Sequence, residues 1–249
     1  MNQFDQFQNA LVLEVISRNT YKVNPDSRYF VGKTPHGGYL NALMHKALIS
    51  SVSHSVAISS SIQYLNRIEA KDIILEVEVF KVSRGSSSGM VKLIQDNKIC
   101  SVFNAICSDF DHMKGFDGLE TNPPDIFRDM PIEQYKELNY EKVSPGLTPS
   151  FMKLDGGMPD QFALSFYVDV APPVVSNKYG PLGWIPTYSL STHIRQMPTT
   201  EIVFADFVAK DINKGYFEQD CNIWDLNENL VASSRQLTRI LKSEEKLSN

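Results

Sequence analysis

Residues 60–110 read SSIQYLNRIEAKDIILEVEVFKVSRGSSSGMVKLIQDNKICSVFNAICSDF, and three segments alternate apolar with polar side chains: ILEVEVFKV (74–82), SGMVKLIQ (88–95) and CSVFNAICS (100–108). Alternation at period two gathers one set of side chains on one face of a sheet, so each segment predicts a strand. Asp96-Asn97 supplies a polar hairpin between the last two, since both residue types tolerate the left-handed backbone of tight turns. Residues 188–241, YSLSTHIRQMPTTEIVFADFVAKDINKGYFEQDCNIWDLNENLVASSRQLTRIL, repeat the order. A polar-interrupted strand is followed by an extended strand, a basic residue with Gly, a strand, a polar turn and a long last strand. Arg84-Gly85 falls against Lys214-Gly215, the Asp96-Asn97 turn against residues 226–229, and residues 99–107 against 230–238. A long pattern given twice predicts a duplicated domain, because solenoid units are shorter and more numerous.

Each predicted sheet follows a helical candidate. In GGYLNALMHKALISSVSHS (37–55), Leu40, Leu43, Met44, Ala47 and Leu48 share one face at helical spacing. In DQFALSFYVDVAPPVV (160–175), Phe162, Leu164, Phe166, Tyr167 and Val170 belong to a shorter helical or mixed segment that Pro172-Pro173 stops. One helix covering the apolar face of a curved antiparallel sheet, twice over, satisfies both elements. The reading is α+β: an N-terminal domain over 1–110, a Pro-, Gly- and Asp-bearing linker over 111–148 with a short helix in IFRDMPIEQYKELNY, and a C-terminal domain over 149–249.

The 249 residues are 42% hydrophobic and 10% aromatic, enough for a full core, and the formal net charge of -5 gives no global attraction to nucleic acid. Cys100, Cys107 and Cys221 form neither a CxxC pair nor a disulfide framework and read as small buried hydrophobes. No stretch approaches the ~20 apolar residues of a membrane span. The start, MNQFDQFQNA, lacks the basic and apolar regions of a secretory signal, so the chain reads as cytoplasmic. No side-chain group calls for a metal, and no cofactor is expected.

HGGYLNALMHKAL, SIQYLNR and VSRGSSSG resemble the first half of the TesB-like acyl-CoA thioesterases, and YVDVAPPV, GWIPTYSLSTHIR and NENLVASSRQ resemble the second half. The resemblance runs over about residues 33–241, with the linker matching poorly. It implies a double hotdog, in which two helix-and-sheet units pair to make one substrate channel. It also implies hydrolysis of an acyl thioester such as acyl-CoA, with CoA as part of the substrate. The family's hydrolytic Asp falls on Asp169, its Gln on Gln236, and its hydroxyl on Thr187, with Ser189 and Ser191 close along the same segment.

Thioester hydrolysis needs an activated water, a donor for the developing oxyanion and a dry slot for the acyl chain. Asp169 suits a general base, while Thr187 and Gln236 suit orientation of the water. No G-x-S-x-G elbow or Ser-His-Asp arrangement points to a covalent acyl-enzyme. Substrate contacts are expected from His36, Gly37, Gly38 and Tyr39 at the first helix and from His193 in the second half. Arg67, Arg84, Lys214 and Arg195 are candidates to meet a CoA phosphate. Phe80, Val82, Phe166 and Phe207 are candidates for acyl-chain walls, and core packing explains them equally. The competing functions are a non-catalytic acyl-CoA or lipid-binding protein, a hotdog hydratase or dehydratase, for which no D-x-x-x-x-H pattern stands at the second helix, and a structural assembly role. Homo-oligomerisation through leftover sheet surface is also expected.

Overall fold

The computed structural model describes residues 1–112, 118, 121–129, 150–171, 173–180 and 182–240. The chain opens with α1 (Gln3–Ala10), β1 (Glu14–Ser17), β2 (Thr20–Val23) and a small hairpin, β3 (Phe30–Val31) and β4 (Thr34–Pro35). The first unit continues with α2 (Gly37–Ile49), β5 (Val56–Tyr64), β6 (Ile73–Val82), β7 (Ser87–Gln95) and β8 (Lys98–Ser108). After α3 (Ile126–Asp129) and β9 (Ser150–Met152), the second unit contains α4 (Gln161–Val170), α5 (Val175–Tyr179), β10 (Thr187–Ile194), β11 (Val203–Asn213), β12 (Tyr216–Asp225) and β13 (Leu230–Arg239).

Among the described residues one antiparallel sheet of 11 strands runs β1-β2-β6-β7-β8-β5-β10-β13-β12-β11-β9. The order around the middle is a palindrome: β6-β7-β8-β5 on one side is answered by β10-β13-β12-β11 on the other. The seam is the β5–β10 pair, with Gln63 opposite Ser189, Ser61 opposite Ser191 and Ser59 opposite His193. The duplicated α+β pattern is therefore present as two helix-in-sheet units sharing one continuous sheet. The turns agree with the sequence: Asp96 and Asn97 have φ of 50° and 58°, and Lys214 and Gly215 have φ of 51° and 80°.

α2 is buried on nearly every side, from Gly38 through Leu48, rather than along one stripe. The cause is its position, with strands of its own unit on one flank and α4 on the other. Polar residues at that helix–helix contact are consequently paired: Asn41 Nδ2 donates to the Ser165 carbonyl at 3.0 Å, and His45 meets Ser165 Oγ at 2.7 Å and Gln161 Oε1 at 2.8 Å. α4 starts where Asp160 Oδ1 accepts the N–H groups of Phe162 and Ala163 at 3.0 and 2.8 Å. It ends at Val170, because Ala171 precedes a proline and is extended, with ψ 143°. All three cysteines are free and buried.

The first 35 residues carry elements that the alternation did not announce. α1 inserts Phe7 between Tyr29, centroids 5.6 Å apart, and Phe166, 5.3 Å. The linker expected over 111–148 lies largely outside the described residues. Its α3 places Phe127 in a second cluster with Phe151, Phe204 and Trp224. No helix of the described residues is long and apolar enough to cross a membrane.

Candidate active site

The last turn of α4 points Asp169 at the first turn of α2. No side chain fits between them: a Cβ on Gly37 would stand 2.6 Å from Asp169 Oδ2, and one on Gly38 would stand 2.7 Å from the Phe166 carbonyl and 3.2 Å from Asp169 Cβ. The Gly37-Gly38 pair thus lets a carboxylate approach the N-terminus of α2, where backbone N–H groups have no partner within the helix and the helix dipole favours negative charge. Burial pushes the Asp169 carboxyl up to about 7, opposed by the Gly38 N–H that favours the charged form. Its place at the C-terminal end of α4 acts in the same direction as burial.

His36 caps α2: its Nδ1 accepts the Gly38 N–H at 3.0 Å. That bond assigns the ring proton to Nε2 in the neutral form, and burial lowers the pKa to about 4. The 3.8 Å approach of His36 Nδ1 to Asp169 Oδ2 is therefore not an ion pair at neutral pH. Tyr64, at the end of β5, donates from its hydroxyl to the Gly37 carbonyl at 2.7 Å. Burial, with a smaller effect from nearby Asp169, holds that phenol well above its usual pKa.

On the sheet beneath, Thr187 Oγ1 donates to Gln236 Oε1 at 3.2 Å. The pairing of β10 with β13 sets this contact: Thr187 lies opposite Thr238, and Leu190 opposite Gln236. The register shifts between Thr187 and Ser189, which adjusts the frame. Ser189 and Ser191 lie opposite Leu237 and Arg235, whose side chains are exposed, so the hydroxyl on the Gln236 side is that of Thr187.

Asp169, Thr187 and Gln236 line one cavity of about 990 Å³, together with His36, Gly37 and Tyr64. Two helix ends and three strands of the sheet, β5, β10 and β13, drawn from both units, converge there. Its apolar wall comes from Phe30, Leu40, Ile68, Val170 and Ile185. The four aromatic and aliphatic candidates do not line it: Phe80 and Val82 are exposed strand residues, while Phe166 and Phe207 are buried in the core.

Two other sequence candidates are also placed elsewhere. His193 is exposed on β10 and faces Ser59 and Ser233 across the sheet, away from the cavity. Tyr39 is fully buried, donating to the Ala10 carbonyl at 2.7 Å and accepting the Asp26 N–H at 3.1 Å, so it fastens the N-terminal segment to α2. Gly38 packs against Asp169 and does not line the cavity. Of the four basic candidates, only Arg67 lines it. Sequence reasoning missed Tyr64, although the alternation Ser60, Ile62, Tyr64 places it on the inner face of β5.

The description "acyl-CoA thioesterase N-terminal domain" matches residues 25–108, and "acyl-CoA thioesterase C-terminal domain" matches residues 132–240. No curated protein matches the chain in sequence. Similar solved structures include a Thermobifida fusca YX protein assigned as a thioesterase II, 22% identical with a TM-score of 0.82 over 95% of this chain and 98% of that one. A hot-dog-fold protein from Alicyclobacillus acidocaldarius is 18% identical, with a TM-score of 0.82 over 96% and 98%. The tesB protein of Mycobacterium avium subs paratuberculosis is 13% identical, with a TM-score of 0.79 over 96% and 99%. At these identities the likenesses establish the double-hotdog fold, and the activity follows from the two domain matches in their proper order: the chain belongs to the acyl-CoA thioesterase family and is a thioester hydrolase.

Proposed function

We propose that the cavity hydrolyses an acyl-CoA to the free acid and CoA, with water activated by Asp169 and the reacting groups held by Thr187 and Gln236. The observation that carries this reading is the convergence of a buried carboxyl of raised pKa and a hydrogen-bonded Thr–Gln pair on one cavity. The ionised Asp169 takes a proton from water as the oxygen attacks the thioester carbonyl. Collapse of the tetrahedral species breaks the C–S bond, and the Asp169 proton passes to the departing thiolate. Gln236 Oε1 is occupied by the Thr187 hydroxyl, which leaves the amide N–H groups to donate. A donor suits the oxygen that becomes negative in the transition state.

The test is free-thiol release from short, medium, long and aromatic acyl-CoAs, run beside Asp169→Asn. Turnover that disappears in a folded variant is the expected outcome. Absence of turnover on every member, with acyl-CoA still bound, would replace this reading with a non-catalytic acyl-CoA-binding protein.

A further inference from the structure

We propose that the cavity mouth carries a nucleotide subsite, built from Arg67 and Trp184, that binds the adenosine bisphosphate end of CoA and so selects CoA over protein-borne pantetheine. The proposal rests on the thioesterase reading above. A chain of net charge -5 offers no general attraction to a ligand rich in phosphate, so phosphate recognition falls to local cations.

Two arginines line the cavity, and they differ in what holds them. Arg28 is closed on Asp26, with Nε 3.0 Å from both carboxylate oxygens. Arg67 makes no ion pair among the described residues. Its Nε donates to Thr34 Oγ1 at 3.0 Å, which fixes the near edge of the guanidinium and leaves the terminal N–H groups for a ligand. Such a fork matches phosphate oxygens two at a time. Thr34 belongs to β4 of the small hairpin, and Lys33 stands exposed beside it at the hairpin tip.

Trp184 also lines the cavity, yet it is 53% exposed. Its indole has neither a hydrogen bond nor a ring contact among the described residues, whereas the protein's other tryptophan, Trp224, is 2% exposed. A large indole left in water at a cavity rim gains by covering a flat ring, as in the stacking of nucleobases on aromatic side chains. Adenine offers that ring in CoA. A carrier-protein phosphopantetheine ends in one phosphodiester and a serine, so it uses the guanidinium without the indole.

The experiment compares one acyl group carried on CoA, on phosphopantetheine and on pantetheine, in wild type, Arg67→Ala and Trp184→Ala. Both substitutions are expected to raise KM for acyl-CoA about tenfold with little change in kcat, the size of one lost charge-assisted bond or stacked base. Arg67→Ala should also weaken acyl-phosphopantetheine, Trp184→Ala should spare it, and acyl-pantetheine should be unaffected by either. Adenosine bisphosphate should inhibit wild type and quench the exposed tryptophan's fluorescence, a signal absent from Trp184→Phe. Equal losses on all three carriers, or no effect of the free nucleotide, would overturn the subsite. Preference for an acyl-carrier protein over acyl-CoA would do the same. If no thioester is hydrolysed while nucleotide still quenches Trp184, the hydrolase reading fails and the subsite stands.

Discussion

Replacing Asp169 with Asn is expected to abolish turnover and to stabilise the fold at alkaline pH. In the folded chain, burial raises the carboxyl from 3.8 to about 7. The folded protein therefore keeps a proton that the unfolded chain releases near 3.8. Stability from this group is greatest at low pH, falls as pH rises between those values and reaches its floor above about 7. The full difference amounts to about 4 kcal/mol, and more than half of it falls between pH 5 and pH 8.

The neutral amide of Asn carries no such cost, so the variant's advantage over wild type should grow with pH. Wild type alone does not isolate this slope. His36 and His45, both pulled down to about 4 by burial, lose stability in the opposite sense as pH falls below their ordinary 6.5. The difference between variant and wild type removes most of their contribution. Urea unfolding of both proteins at pH 5 and pH 8 measures it, and the gap is expected to widen by roughly 2–3 kcal/mol. A gap of the same size at both pH values would refute the desolvated carboxyl. Wild-type kcat/KM should rise through about pH 7 as the base ionises.

Removing the Gln236 amide with Gln236→Ala should lower kcat about a hundredfold, the scale of one oxyanion donor, with a smaller change in KM; steady-state kinetics separates the two. Gly37→Ala should cut kcat at least tenfold although alanine is the better helix former, because the new Cβ would stand 2.6 Å from Asp169 Oδ2 and 3.2 Å from the Tyr64 hydroxyl. Wild-type rates in that variant would mean the two helix ends move apart without consequence. His193→Ala should leave kcat and KM within about twofold of wild type, since surface changes away from special features are nearly neutral and this ring is exposed outside the cavity.

Much of the architecture is legible because it depends on side-chain periodicity. β7 and its counterpart β12 alternate almost residue by residue, and Asp96-Asn97 sits where the chain must take positive φ. β1 was not legible because EVIS is exposed along its whole length and shows no inner and outer face. The depth of α2 was not legible either. Asn41 and His45 look like solvent-facing residues until α4 supplies Ser165 and Gln161 as partners, a contact between segments over 100 residues apart. At the site, residue type and family pattern pointed to Asp169, Thr187 and Gln236, but strand register was needed to separate Thr187 from Ser189 and Ser191. His193 misled because a histidine in a strand gives no sign of which face it occupies.

The palindromic sheet makes the two halves near-equivalents in layout, yet their matching positions have diverged. Gln236 has Ala105 as its counterpart in the first half, and that alanine is buried between Ser60 and Gly89 on neighbouring strands. Where α2 opens with two glycines that admit a carboxylate, α4 opens with Gln161, which spans to the Ser55 carbonyl at 2.6 Å, the Ala57 N–H at 3.2 Å and His45 at 2.8 Å. Fusion into a single chain permits this division of labour. In a symmetric pair of identical subunits, any substitution appears at both helix starts, so neither can specialise without altering the other. With each half encoded separately, one helix start can become mortar while the other stays open to a carboxylate.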